Sequence, residues 1–391
     1  YLFMKRQDAA GLLSFSALCP DELVYANGPA LWVDKPEISS IESKIKQRIQ
    51  KETKPPLAFI VKGLGLFAVG NYLSLETIKD IVKSSIFIRT NAVSMGGINP
   101  LTNRERTFIN SWEAEAFRKA VIDGGKSGEL QNRISVVTGA GSGLGRNIAI
   151  GLARAGANVA LVDIDTDAAV QTAQMIKDES NCQTLILSCD VTNADSVDKA
   201  YDNLLSKWGG LDILVNAAGV APAYSLTDLP VNKWRFALEV NLTGYFLMAQ
   251  KAAQIMIRQQ MGGNIINLSS KSGIDASKNN TPYNATKAGE LHMARGWAME
   301  LGKYNIRVNS VCPGNVFEGS KIWNPEYIKT CAQKYGIKPE EVIPYYVSKT
   351  MLGLEIKGQD IADAVVFLVS DKAKMITAQT LVVDAGQAMV R

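Results

Sequence analysis

Histidine is almost missing from this chain: among 391 residues there is only His292. That excludes a metal site built from several histidines and a Ser-His-Asp triad. His292 sits in a helical pattern and reads as a packing or interface residue. Cysteine is sparse and unpaired in pattern. Cys19, Cys182, Cys189, Cys312 and Cys331 are odd in number, widely separated and never spaced C-x-x-C. Neither a disulfide framework nor a cysteine zinc site is indicated, so no metal is expected. They read as small apolar residues of a reduced, cytoplasmic protein. No apolar run reaches membrane-spanning length, and no membrane partner is expected. Tyr1-Leu2-Phe3-Met4-Lys5-Arg6 is not a signal peptide, because no long apolar region follows the basic pair. The missing initiator Met makes the chain read as a piece of a longer polypeptide. No Lys/Arg run with interleaved aromatics occurs, and the net charge is only +4. Nucleic acid is therefore not an expected partner.

The composition is ordinary for a globular protein, at 47% hydrophobic and 20% charged, and the length allows two domains. A boundary is expected at Asp123-Gly124-Gly125-Lys126-Ser127-Gly128, where polar, Gly-rich sequence separates two periodic segments. It divides the chain into residues 1–126 and 127–391. The first part reads as mixed α/β. Ser39-Ser40-Ile41-Glu42 opens an amphipathic helix to about 51, residues 57–61 form a buried strand, and helices follow at 74–94 and 112–121. Gly63-Leu64-Gly65-Leu66-Phe67-Ala68-Val69-Gly70 resembles a phosphate loop. It lacks the following amphipathic helix and the downstream acid, so a tight strand-to-loop turn is expected.

The second part alternates strands and helices. Strands fit residues 135–138, 159–163, 184–189, 213–216, 265–269, 307–311 and 380–383. This predicts an α/β fold, a Rossmann-type doubly wound parallel sheet covered on both faces. Ligands bind such sheets at the carboxyl ends of the strands.

Three strings place chemistry there. Thr138-Gly139-Ala140-Gly141-Ser142-Gly143-Leu144-Gly145 follows a strand and opens a helix, as a phosphate-binding turn does. Gly139 permits the turn, Gly143 lets backbone approach a pyrophosphate, and Gly145 lets the helix pack on the sheet. The helix N-terminus offers free N–H groups to the anion. Asp163 ends the second strand, where a carboxylate accepts hydrogen bonds from a ribose diol and repels a 2′-phosphate. With Ser142 not basic and Ile164 not Arg, the pattern favours NAD over NADP. Tyr283 and Lys287 lie four apart on one helix and share a face. A nearby ammonium favours phenolate, which fits a phenol for proton exchange.

With Asn216-Ala217-Ala218-Gly219, Asn241, and Ser270 thirteen residues before Tyr283, these strings resemble the NAD-using branch of the short-chain dehydrogenase/reductase family. The likeness runs from about Arg133 to the end. It implies that Tyr283 is the general acid/base and that Lys287 assists it and holds the nicotinamide ribose. It implies that Ser270, rather than Ser269, polarises the substrate oxygen, and that Asn241 holds a relay water. Asp190 and Val191 meet the adenine. Asn216, Ala217 and Gly219 pass under the adenosine ribose, and Pro313, Gly314 and Val316 hold the nicotinamide amide. NAD is the implied cofactor, exchanging hydride with a small molecule. Glu318 stands where the family often has Thr, and Asp384-Ala385-Gly386 varies a usual Asp-Gly-Gly. Residues 319–352 depart from the alternation and read as a substrate lid. Its Lys321, Lys329 and Lys334 either face an anionic substrate or solvent.

The strings Gly319-Ser320-Lys321-Ile322-Trp323, Tyr335-Gly336-Ile337-Lys338-Pro339-Glu340-Glu341, Cys19-Pro20-Asp21 and 63–70 sharpen the likeness. They resemble the bifunctional rhamnulose-1-phosphate aldolase/lactaldehyde dehydrogenase proteins, in which a class II aldolase-like domain precedes the dehydrogenase. This implies lactaldehyde or a related product of rhamnose-type deoxysugar breakdown. Such aldolases hold zinc with histidines, and Glu22 stands where one of them tends to occur. The first 126 residues therefore read as a partial, structural aldolase-like domain. A sugar-alcohol or sugar-phosphate substrate is an alternative. A non-catalytic NAD-binding scaffold and a lyase are alternatives of another class. The family's habit implies a homodimer or homotetramer through the helices carrying Asn241 and Tyr283.

Overall fold

The computed structural model describes residues 2–52, 54–70, 72–112, 128–319 and 323–388. The chain forms two compact units, Tyr1–Ser127 and Gly128–Arg391.

The first unit carries a three-stranded sheet of β1 (Leu31–Val33), β2 (Ala58–Val61) and β3 (Gly65–Ala68). β1 and β2 are parallel, and β2 and β3 antiparallel. The glycine-rich string 63–70 is thus a hairpin and not a strand running into a loop. Gly63, at φ +84°, makes the turn that only glycine adopts without strain, and Leu66 and Phe67 continue the ladder. The expected helices at 39–51 and 74–94 are Ile38–Glu52 and Tyr72–Ala92. A helix at Asn103–Ser111 was not anticipated, although Thr102 and Glu105 form a reciprocal capping box at its start. Most of the expected 112–121 helix and of the 123–128 boundary lies outside the described residues.

Trp32, Ile60, Ile78 and Val82 form the centre of this unit's core. Beside it lies a buried ion pair. Arg89 donates to both carboxylate oxygens of Glu22 at 3.1 Å, and to the carbonyls of Leu12 and Ser16 at 2.9 and 2.8 Å. Glu22 also accepts from the Leu18 N–H at 2.7 Å. The Glu22 carboxylate is therefore engaged in holding the fold.

The second unit is built on seven parallel strands. They are β4 (Ile134–Thr138), β5 (Asn158–Asp163), β6 (Thr184–Ser188), β7 (Ile213–Asn216), β8 (Gly263–Leu268), β9 (Ile306–Pro313) and β10 (Thr380–Val383). Their order is β10-β9-β8-β7-β4-β5-β6. All seven expected strands are present, with ends displaced by up to two residues. Near-continuous apolar runs such as Val159-Ala160-Leu161-Val162 are buried on both faces, as parallel strands require. One face packs under Ile148, Leu152, Ile176 and Ile361, and the other under Leu204, Met248, Met256 and Ala294. Each fully buried aliphatic side chain stabilises the fold by about 1.5–3 kcal/mol. The chain reverses its winding between β4 and β7. The crevice for a ligand opens there, at their carboxyl ends.

Candidate active site

The glycine turn leaves β4 at Thr138, whose Oγ1 accepts from the N–H groups of Ala217 and Ala218 at 2.9 and 3.0 Å. This ties the first strand's end to the loop after β7. Gly139 has φ +65°, and a Cβ there would meet Ala218 Cα at 2.9 Å. A Cβ on Gly145 would stand 2.1 Å from the Gly139 carbonyl. Both glycines are therefore demanded by close approach. Gly143, at φ +53°, opens the helix Gly143–Arg154, and the Ser142 side chain makes no capping bond. The Gly143 N–H donates to the Gly319 carbonyl at 3.1 Å, so the chain at the start of segment 319–352 meets this turn.

A cavity of about 610 Å³ extends from the turn along the strand ends. Gly139, Ser142, Gly143, Leu144, Gly145, Asp163, Ile164, Asp190, Val191, Ala217, Gly219, Tyr283 and Lys287 line it. Asp163 is fixed by accepting from the Gly141 and Asp165 N–H groups at 2.7 and 2.9 Å. Asn216 is not in the wall. It is fully buried and donates to Asn267 Oδ1 at 3.1 Å, supporting the sheet beneath. The cavity's size, the glycine cradle at a helix start and the carboxylate on the next strand fit NAD. Phe236, Glu239 and Val240 also line the cavity and carry no sequence motif.

A second cavity, of about 140 Å³, adjoins the first, and Leu144, Ser269 and Tyr283 line both. Ser270, Pro313, Gly314 and Val316 also line it. From the segment 319–352, Trp323, Tyr327, Tyr335 and Tyr346 line it. These aromatics pack edge-to-face, with the Trp323 ring centroid 5.3 Å from those of both Tyr327 and Tyr346 and Tyr335 5.8 Å from Tyr346, and Phe317 tilts against Trp323 at 4.6 Å. Glu318 is exposed and lines neither cavity.

The two serines divide their tasks. Ser269 is buried and its hydroxyl donates to the Lys287 carbonyl at 2.7 Å. Ser270 Oγ accepts from the Ser272 N–H at 3.1 Å, leaving its proton to donate into the cavity beside Tyr283. Asn241 lies in a π-helical turn, Glu239–Thr243, inserted between two α-helices. Its amide accepts from the Val220 N–H and donates to the Val220 carbonyl, both at 2.9 Å, and donates to Thr286 Oγ1 at 3.0 Å. The side chain thereby braces the loop after β7 against the helix that carries Tyr283.

Lys287 is buried, with Nζ 5.6 Å from the Tyr283 ring centre. It donates to the Leu268 carbonyl at 2.9 Å and to the two carboxylate oxygens of Glu290 at 2.9 and 3.0 Å. Burial works against this ammonium, but Glu290, Tyr245 and Tyr283 together hold its pKa above the usual lysine value. Glu290 was not singled out in the sequence, where Lys287 and Glu290 form a common i,i+3 pair.

Of the three lysines singled out in segment 319–352, Lys334 lines the small cavity, Lys329 is exposed, and Lys321 lies outside the described residues. Lys271, next to Ser270, lines it too. Burial lowers the Lys271 ammonium below its ordinary pKa. His292 is exposed rather than packed.

A family profile described as enoyl-(acyl carrier protein) reductase matches residues 139–388. Sorbitol-6-phosphate 2-dehydrogenase of Escherichia coli strain K12 is 36% identical over 261 residues, covering 66% of this chain and 99% of that protein. A Bacillus subtilis strain 168 protein, described as uncharacterized oxidoreductase YuxG, is 28% identical over 409 residues. That match covers 98% of this chain, which spans only 59% of the relative's length. Among solved structures, carveol dehydrogenase from Mycobacterium avium in complex with NAD matches with a TM-score of 0.63. It is 28% identical, over 66% of this chain and 99% of that one. Fold and site thus define a dinucleotide-binding oxidoreductase. The chain belongs to the short-chain dehydrogenase/reductase family.

Proposed function

We propose that the protein interconverts a small hydroxy compound and its carbonyl with NAD, the substrate being lactaldehyde or a related product of deoxysugar breakdown. One observation carries this reading: Tyr283 lines both the dinucleotide-sized cavity and the small one, with Ser270 beside it. NAD, when bound, supplies the hydride acceptor or donor. Ser270 donates a hydrogen bond to the substrate oxygen. Tyr283 exchanges that oxygen's proton, and the Lys287 charge supports the phenolate. Asn241 keeps the loop and the tyrosine helix in register for this exchange. The aromatic lid excludes water. The first unit is an aldolase-like remnant with a structural role, a reading supported by its buried Glu22–Arg89 pair and by a likeness to the Bacillus protein that extends over 98% of this chain. Homodimers or homotetramers form through the helices Gly244–Gln259 and Thr281–Leu301, where Phe246 and Met299 are exposed.

A second reading, a sugar-alcohol phosphate as substrate, is favoured by Lys271 and Lys334 in the small cavity and by the likeness to sorbitol-6-phosphate 2-dehydrogenase. A panel of lactaldehyde, propanediol, sorbitol and sorbitol 6-phosphate separates the two. Turnover of the neutral three-carbon compounds supports the first reading. Turnover confined to the phosphate ester, with KM raised at least about tenfold by Lys271→Met, supports the second, since a charge-assisted bond to a phosphate contributes roughly 1.5–3 kcal/mol.

A further inference from the structure

Lys287 supports the phenolate in the chemistry assigned above, but its partner Glu290 has no part in it. A carboxylate without solvent access is costly unless a cation answers it. Here Glu290 is fully buried one turn beyond Lys287 on the same helix, and both its oxygens face one ammonium at 2.9 and 3.0 Å. The third strong partner of that ammonium is the Leu268 carbonyl, which also accepts from the Tyr245 hydroxyl at 3.0 Å. Other groups face the pair from neighbouring elements. The Tyr245 ring lies 5.3 Å from Nζ, Tyr283 lies on the substrate side, and Cys312 approaches from β9, its thiol pushed up to about 11 by burial. The Ser269 hydroxyl anchors the Lys287 backbone. Among these, Glu290 is the carboxylate that reaches the ammonium.

We propose that Glu290 is a positioning residue for Lys287, holding its ammonium toward the end of β8 and limiting how much positive charge reaches Tyr283 and a bound nicotinamide ribose. The carboxylate cancels part of the ammonium's field, because opposite charges about 3 Å apart act on a more distant group as a dipole. Burial pushes the Glu290 carboxyl up to about 7, with Lys287 pulling against that rise. The cancellation is therefore weak on the acid side and grows as Glu290 ionises. The inference rests on the dehydrogenase assignment but not on which substrate is turned over.

The test is Glu290→Gln in the full chain, which keeps size and hydrogen bonding and removes the charge. The rising limb of kcat for alcohol oxidation against pH should move to lower pH by about one unit, or about tenfold in rate at a fixed pH on that limb. NADH affinity, read by fluorescence, needs no substrate and keeps this question separate from turnover. In the wild type it should fall severalfold between about pH 6 and pH 8, and in Glu290→Gln it should stay flat. A variant with lower amplitude but the wild-type limb and the wild-type NADH profile would overturn the proposal, since a merely structural residue behaves so. If Glu290→Gln does not fold, Glu290→Asp is read instead. Its charge is kept at shorter reach, so the limb should stay near the wild-type position while kcat falls severalfold. An Asp variant indistinguishable from wild type in kcat and NADH affinity would also overturn it.

Discussion

At the scale of single residues, Tyr283 is the centre of the account. Tyr283→Phe removes only the hydroxyl, so oxidation should fall by about 10²–10⁴-fold while NADH binding stays within about twofold. Steady-state rates beside a fluorescence titration check both parts. Asp163 lies in the wall of the large cavity, its carboxylate fixed by two backbone N–H groups. Asp163→Ala should narrow the preference for NAD over NADP by about tenfold or more, read as the ratio of kcat/KM values. An unchanged ratio would remove Asp163 from cofactor selection. Lys271 gives a pH signature under the phosphate reading. Its lowered pKa means that its charge is lost earlier than an ordinary lysine's as pH rises. KM for a phosphate ester should therefore climb on the alkaline side, and Lys271→Met should flatten that climb. The convergence of Tyr283, Lys287, Ser270 and the glycine turn on the two adjoining cavities was legible, because it follows from their spacing on strand ends and one helix face. Glu290 and Lys271 were not, because a charged residue in a sequence carries no mark of its surroundings, and here Glu290 is fully buried and Lys271 half-buried in a cavity wall.

At the scale of elements, the seven strands were legible from alternation with helices, since apolar runs in a parallel sheet need no partner to be recognised. The hairpin at β2 and β3 was hidden by its glycines, which resemble a phosphate loop until the pairing of Ile60 with Leu66 is seen. The π-helical turn at Asn241 left no signal, because its extra residue is set by packing against Thr286 and Val220. The departure from Asp-Gly-Gly near the end has a measurable consequence. Ala385 holds φ +53°, a left-handed conformation that costs an L-residue about 1–2 kcal/mol. Ala385→Gly should thus raise stability by about 1 kcal/mol, partly offset by the entropy of the unfolded glycine. Thermal melts of both proteins check the sign. In the first unit, Glu22→Gln leaves the Arg89 guanidinium buried beside a neutral amide, and should cost about 3 kcal/mol of that unit's stability.

At the scale of the whole molecule, both cavities are lined entirely from within the second unit, Gly128–Arg391. The resemblance to an aldolase-containing fusion came from short strings. Whether the first unit retains a partner's chemistry was not legible from them, since such chemistry depends on ligands converging in space. The most direct measurement follows NADH formation by the whole chain and by Tyr283→Phe, with NAD and the same panel of small hydroxy compounds, phosphorylated and neutral. The account predicts NAD-dependent turnover by the wild type on at least one compound, and its loss in Tyr283→Phe with NADH binding retained. Equal turnover by both proteins, or none by a wild type that binds NADH, would contradict it.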